Sequence, residues 1–218
     1  MKNKFTIELY KQLYQSYGNK PEALGCTKGK QYLRFYQLTS ELILNDKSFL
    51  DFGCGFGYFV EYLNKMNLDN YLYTGIDIMP EFISEAKKNF NHENVNFVVS
   101  DLDDFPSNNQ FDYVIASGVF NSKLENNYEF IWNSMQKMFE LSKEAICLDF
   151  LSDKVDFSNE FNFNSAPEKI LSMAYMLSKR VILKNNFFPF EFSIIIFKDD
   201  SFSKETTTFN DYVNLLEK

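Results

Sequence analysis

Phe49-Leu50-Asp51-Phe52-Gly53-Cys54-Gly55-Phe56-Gly57-Tyr58 is an apolar run that enters a glycine-rich turn and leaves it as an amphipathic segment. A strand–turn–helix of this composition lets the chain turn sharply and lets a ligand approach the backbone without Cβ collisions. Outward from it, the segments 48–52, 71–76, 95–99, 111–116 and 145–150 have the length and residue types of strands. Between them, 58–66, 81–90 and 128–141 carry helical apolar spacing, with Pro80 at the first-turn position that proline tolerates. Upstream, the series Phe5, Leu9, Leu13, Tyr17 and Phe35, Leu38, Leu42 predict helices over 5–17 and 32–44. Downstream, the pattern predicts a helix over 167–177, a strand over 180–183, a turn at Asn185-Asn186 and a strand over 190–197. Two strands joined so closely must pair antiparallel. The alternation as a whole predicts an α/β chain with a doubly wound sheet of about seven strands, mostly parallel and closed by a C-terminal antiparallel hairpin. Residues 201–218 are polar and read as a loosely attached helix.

Composition narrows the function classes. At 218 residues a single domain is favoured, and 45% hydrophobic with 18% aromatic residues excludes a disordered chain. Lys+Arg 22 against Asp+Glu 30 leaves a formal charge of -8, a field that opposes nucleic acid and anionic membrane as partners. No stretch reaches the ~18 apolar residues of a membrane span, and the polar N-terminus lacks the apolar block of a signal peptide, so a cytoplasmic location is expected. Cys26, Cys54 and Cys147 are widely spaced and read as reduced thiols without a structural zinc site.

Two cofactor classes use a glycine turn of this kind. A dinucleotide loop reads G-x-G-x-x-G/A, and here the last position is Tyr58. The spacing D-x-G-x-G-x-G from Asp51 to Gly57 instead resembles motif I of the class I S-adenosylmethionine (SAM)-dependent methyltransferases. The sequel extends the likeness. Asp77 closes the run 71–77, 24 positions after Gly53, where a carboxylate can accept from ribose hydroxyls. Val98-Val99-Ser100-Asp101-Leu102 and Phe111-Asp112-Tyr113-Val114-Ile115-Ala116-Ser117 follow in the family's order.

The resemblance implies a Rossmann-like core over 46–200, an N-terminal helical lid over 1–45 and a polar tail over 201–218. It implies SAM as cofactor, with Asp51, Gly53, Cys54, Gly55 and Gly57 around its methionine part. Asp77 would hold the ribose, Ile78 would lie on the adenine face, Asp101 would accept from the exocyclic amine, the Leu102 amide would donate to the ring, and Ser117 would also contact the cofactor. A looser likeness to a group of small bacterial methyltransferases rests on Ala23-Leu24-Gly25, Gln31-Tyr32-Leu33-Arg34-Phe35 and 116–121. The chain departs from that group at Asp149, where an Asn is expected, and at Asn164-Ser165-Ala166 before Pro167.

Methyl transfer is an in-line displacement that needs alignment and exclusion of water, so a strong base is optional. The only histidine, His92, falls at the far end of the sheet from the expected ligand cleft and reads as a solvated loop residue. An N-P-P-Y-type sequence is missing after the fourth strand, which argues against DNA adenine or glutamine methylation, and the Asp expected there in aminopropyltransferases is also missing. Asp149 and Asp153 are the acids available at the fifth strand, and no metal is expected. Arg34 is a candidate for a cofactor or substrate carboxylate. Tyr14, Tyr17, Asn121, Asp149 and Asp153 are candidates for an acceptor pocket, made partly apolar by phenylalanines between 157 and 163. These side chains suit transfer to oxygen or nitrogen of a polar small molecule, a bacterial metabolite or sugar-derived intermediate, with anions admitted through Arg34. The alternatives are a SAM-binding module without turnover and a nicotinamide-dependent oxidoreductase. A monomer or homodimer is expected.

Overall fold

A computed structural model describes residues 4–25, 28–68, 70–106, 108, 110–156 and 159–216. The chain opens with α1 (Lys4–Tyr17), a 3₁₀ turn (Pro21–Leu24) and α2 (Lys28–Thr39). It continues through β1 (Lys47–Phe52), α3 (Tyr58–Lys65), β2 (Tyr71–Asp77), α4 (Pro80–Asn89), β3 (Val95–Val99) and β4 (Phe111–Ala116). A 3₁₀ turn (Val119–Asn121), α5 (Asn127–Leu141), β5 (Ser142–Leu151), α6 (Pro167–Tyr175), β6 (Val181–Phe188) and β7 (Glu191–Phe197) complete the sheet layers.

The seven strands lie in the order β3-β2-β1-β4-β5-β7-β6. Every pair from β3 to β5 is parallel, and β7 runs antiparallel to both β5 and β6. Strands covered on both faces must be apolar on both faces. Accordingly Phe49 and Leu50 in β1 and Val114, Ile115 and Ala116 in β4 have no exposed surface. Phe49 meets Phe59 of α3 edge to face, ring centroids 5.7 Å apart, and Phe35 of α2 packs on Phe59 at 5.1 Å. On the other face Phe120, Phe150 and Phe192 stack in series beside α5 and α6. Each such ring contributes roughly 1.5–3 kcal/mol by leaving water.

The chain leaves β1 for β2 and β3 on one side and then crosses to β4 on the other. The connections diverge between β1 and β4, which opens a crevice beyond the strand C-termini.

Three local expectations are corrected. The second helix runs over Lys28–Thr39, not 32–44: the Thr39 hydroxyl donates back to the Phe35 carbonyl at 2.8 Å, and the link that follows still turns Leu42 and Leu44 into the core, which prolonged the apolar spacing. Asn185-Asn186 is not a turn. Both residues lie exposed in β6 where the register with β7 shifts, and the reversal falls at Pro189-Phe190, where a residue without an N–H suits the end of a ladder. The tail is not a loose helix. β8 (Phe202–Ser203) pairs with β9 (Thr208–Phe209), the short α7 (Asn210–Val213) follows, and Asp211 joins Arg180 at 2.6 Å. Among the described residues no helix is long and apolar enough to cross a membrane.

Candidate functional site

The glycine turn hangs from β2. The amides of Gly53 and Cys54 both donate to the Ile76 carbonyl, at 2.9 and 3.0 Å, and the Gly55 amide donates to Asp77 Oδ2 at 3.0 Å. Gly53 has φ +73°, and a Cβ there would lie 2.5 Å from Val119 Cγ2, so any side chain would be strained and would have to displace Val119. Asp77 Oδ1 accepts from the Met79 amide at 2.9 Å, which joins the turn to the start of α4. Burial pushes the Asp77 carboxyl up to about 6, against the lowering effect of the Met79, Gly55 and Ile78 amides.

Above the crevice lies a cavity of about 450 Å³, within the range of small-molecule sites. One half of its wall, beyond β1, β2 and β3, comprises Gly53, Cys54, Asp77, Ile78, Phe82 and Asp101. The other half lies beyond β4 and β5, with Ser117, Val119, Asn121, Leu151 and Phe161, and with Arg34 reaching over from α2. The roof is α1, through Thr6, Leu9, Tyr10 and Leu13.

Several expected site residues lie elsewhere. Asp51 sits beneath the turn, where Tyr73 donates its phenol at 2.8 Å; burial pushes its carboxyl up to about 7, partly offset by that bond, with the charges of Asp77 and Asp149 adding to the rise. Gly55 and Gly57 do not line the cavity, because the turn curls back against Leu24 and Phe97. Leu102 is buried in the core and its amide donates to Asp101 Oδ1 at 2.7 Å, so that donor is engaged within the chain. Tyr14 packs its ring on Phe56 of the glycine turn and Phe82 of α4, and Tyr17 is 47% exposed. Asp149 is buried below the wall and accepts from Ser117 Oγ at 2.5 Å and the Gly118 amide at 2.7 Å, so it clamps the loop after β4. Its carboxyl is raised by burial and lowered by the Arg34 charge and these two bonds. Asp153 is exposed and pairs with Lys154. His92 lies exposed in the loop before β3 and takes no part in the wall. Phe161 reaches the cavity, Phe163 packs on Tyr128, and Cys26 and Phe157 fall outside the described residues.

Arg34 meets a partner that the sequence reading missed. Its Nε and Nη2 donate to Glu191 Oε2 and Oε1, both at 2.7 Å. Gln31, one turn before Arg34, and Thr6 were also missed; the Gln31 carboxamide oxygen and the Thr6 hydroxyl are enclosed and lack a hydrogen-bond partner. Asn121 was expected here, and its side-chain oxygen accepts from the Leu151 amide at 3.1 Å. Among the described residues no three His, Cys, Asp or Glu side chains come together as a metal site.

Residues 49–151 match the family model described as a methyltransferase domain. A malonyl-[acyl-carrier protein] O-methyltransferase of Acetivibrio thermocellus is 38% identical over 89 residues, which cover 38% of this chain and 30% of that protein. A Mycobacterium tuberculosis protein described as a methyltransferase is 36% identical over 76 residues, 34% of this chain and 43% of that one. The chain therefore spans less than half the length of these curated relatives. Among solved structures, magnesium protoporphyrin IX methyltransferase of Synechocystis PCC 6803 with bound S-adenosylhomocysteine (SAH) superposes with a TM-score of 0.65 at 15% identity, over 90% of this chain and 96% of that one. Human N-acetylserotonin methyltransferase in complex with SAM gives 0.64 at 16% identity, over 88% and 59%. At these identities the likeness is one of fold.

Proposed function

We propose that the chain, whose residues 49–151 match a methyltransferase domain, is a class I SAM-dependent enzyme that transfers the methyl group of SAM to an oxygen or nitrogen of a polar small molecule. The observation that carries this reading is Asp77, whose carboxylate stands on the cavity wall beside a glycine turn where a Cβ at Gly53 would collide with Val119.

The wall suits the cofactor. A carboxylate has about four acceptor positions, and the Gly55 and Met79 amides engage one on each oxygen of Asp77. One position per oxygen is left for two ribose hydroxyls. Ile78 and Phe82 offer an apolar surface to the adenine, and Asp101 offers an acceptor to its amine. Gly53, Cys54 and Ser117 border the region of the methionine part, and the acidic wall suits a cationic sulfonium. When bound, SAM supplies an electrophilic methyl carbon and a neutral leaving sulfide. The chain's own residues position and enclose: Asp149 fixes Ser117 and Gly118, Asn121 holds the end of β5, and α1 shields the cavity from water.

Calorimetric titration with SAH and, separately, with NAD tests the cofactor. Micromolar SAH binding and no NAD binding are expected, and the converse overturns the proposal. Release of SAH from SAM in the presence of a metabolite library distinguishes an enzyme from a binding module without turnover.

A further inference from the structure

The half of the cavity beyond β4 and β5 has a closed charge arrangement built on Arg34. Arg34 is the one basic side chain on the cavity wall among the described residues. Its fork on Glu191 is closed at both ends, and the two side chains are only 11% and 9% exposed. Glu191 is placed there by β7, where it pairs in register with Leu151 at the end of β5. Two positions along the ladder, Asp149 faces Ser193, and its charge feels both Arg34 and Glu191. This end of the cavity therefore holds two acids against one base. A carboxylate or phosphate arriving here would meet a guanidinium already neutralised and a second buried acid behind it, and an unpaired buried charge is strongly disfavoured.

Hydrogen-bonding capacity remains where charge does not. Gln31, one helical turn from Arg34, and Thr6, across on α1, border the cavity, and the Gln31 oxygen and the Thr6 hydroxyl are enclosed beside it without a hydrogen-bond partner. Buried polar atoms in folded proteins are almost always satisfied, and a rotation of either side chain into the cavity would give its oxygen a donor on a ligand. The surrounding wall is apolar, through Leu124, Phe130, Leu151 and Phe161.

We propose that the methyl acceptor is an uncharged molecule bearing a hydroxyl or amine donor on an apolar body, hydrogen-bonded by Gln31 and Thr6, and that Glu191 is the positioning residue that excludes anions by neutralising Arg34. The inference rests on the methyltransferase reading and replaces the expectation that Arg34 admits anionic substrates.

The test uses the full chain saturated with SAH and titrated, by ligand-observed NMR, with benzyl alcohol and with benzoate, two probes that share a ring and differ in charge. Wild type is expected to bind benzyl alcohol about tenfold more tightly than benzoate. Glu191→Gln, which frees the guanidinium, is expected to strengthen benzoate binding about tenfold, and Gln31→Leu to weaken benzyl alcohol alone. Preference of wild type for benzoate, failure to bind benzyl alcohol, unchanged benzoate affinity in Glu191→Gln, or unchanged benzyl alcohol affinity in Gln31→Leu overturns the inference. If Glu191→Gln does not fold, the wild-type preference and Gln31→Leu still decide. Absence of SAH binding in the first step overturns the cofactor reading instead.

Discussion

Replacing Asp77 by Asn removes one negative charge from the cofactor half of the cavity while keeping the shape of the side chain. In the native chain each carboxylate oxygen accepts one backbone N–H, from Gly55 at 3.0 Å and Met79 at 2.9 Å, and keeps one further acceptor position for a ribose hydroxyl. The amide has a single acceptor oxygen, so one hydroxyl keeps only a neutral acceptor, the other must turn to accept from the amide N–H, and the Gly55 or Met79 N–H that faces the amide nitrogen loses its acceptor. With charged hydrogen bonds contributing about 1.5–3 kcal/mol each, the loss comes to about 2–4 kcal/mol, or roughly 30- to 1,000-fold in SAH affinity. The pH profile supplies an independent readout. Burial raises the Asp77 carboxyl to about 6, and only the ionised form can accept from both hydroxyls without giving up an oxygen to a proton. Affinity should therefore fall with acidity below that value, to about one tenth at pH 5 of its value at pH 8, whereas Asp77→Asn should bind with a flat profile. Calorimetry at pH 5, 6, 7 and 8 measures both effects, with circular dichroism to confirm the fold. A variant that binds SAH within about threefold of wild type and keeps the wild-type pH profile would refute the ribose role and leave Asp77 as the tie between the glycine turn and α4.

Asp51→Asn tests the buried acid beneath the turn: the native carboxyl, raised from 3.8 to about 7, holds its proton where the unfolded one has lost it, so stability falls as pH rises from about 4 to 7. Urea unfolding should show a wild-type loss of about 2 kcal/mol from this group between pH 5 and 7, absent in Asp51→Asn, and identical slopes would remove the argument. Gly53→Ala should destabilise the chain by about 1–2 kcal/mol through its left-handed backbone and by about a further 1–3 kcal/mol through collision with Val119. Compared with Val119→Ala alone, the double variant should recover the collision component only, and full additivity of the two single effects would show that the contact is not the cause.

The alternation of apolar runs and helical spacings around the glycine turn is local information, and it was enough to predict the α/β class, a sheet of about seven strands and its antiparallel end. Asp77 and Asp101 could be placed at strand ends because parallel strands fed by helices share one direction, so their C-termini meet on one side of the sheet. The rotation of α1 could not be read in the same way: both its cavity side, Leu9 and Leu13, and its α4 side, Tyr10 and Tyr14, are apolar or aromatic, and only packing against Phe82 and Phe56 decides that Tyr10 reaches the cavity and Tyr14 does not. Asp51 and Asp149 have the residue type of ligands, and it is the sheet that buries them under the wall and engages their oxygens with Tyr73, Ser117 and Gly118. Glu191 carries no local signal at all. It lies 157 positions from Arg34, and the two meet because β7 inserts between β5 and β6 and turns its first residue under α2. Hydrophobic periodicity records which face of an element is buried; which charge ends beside which depends on strand order, and that is a property of the assembled sheet alone.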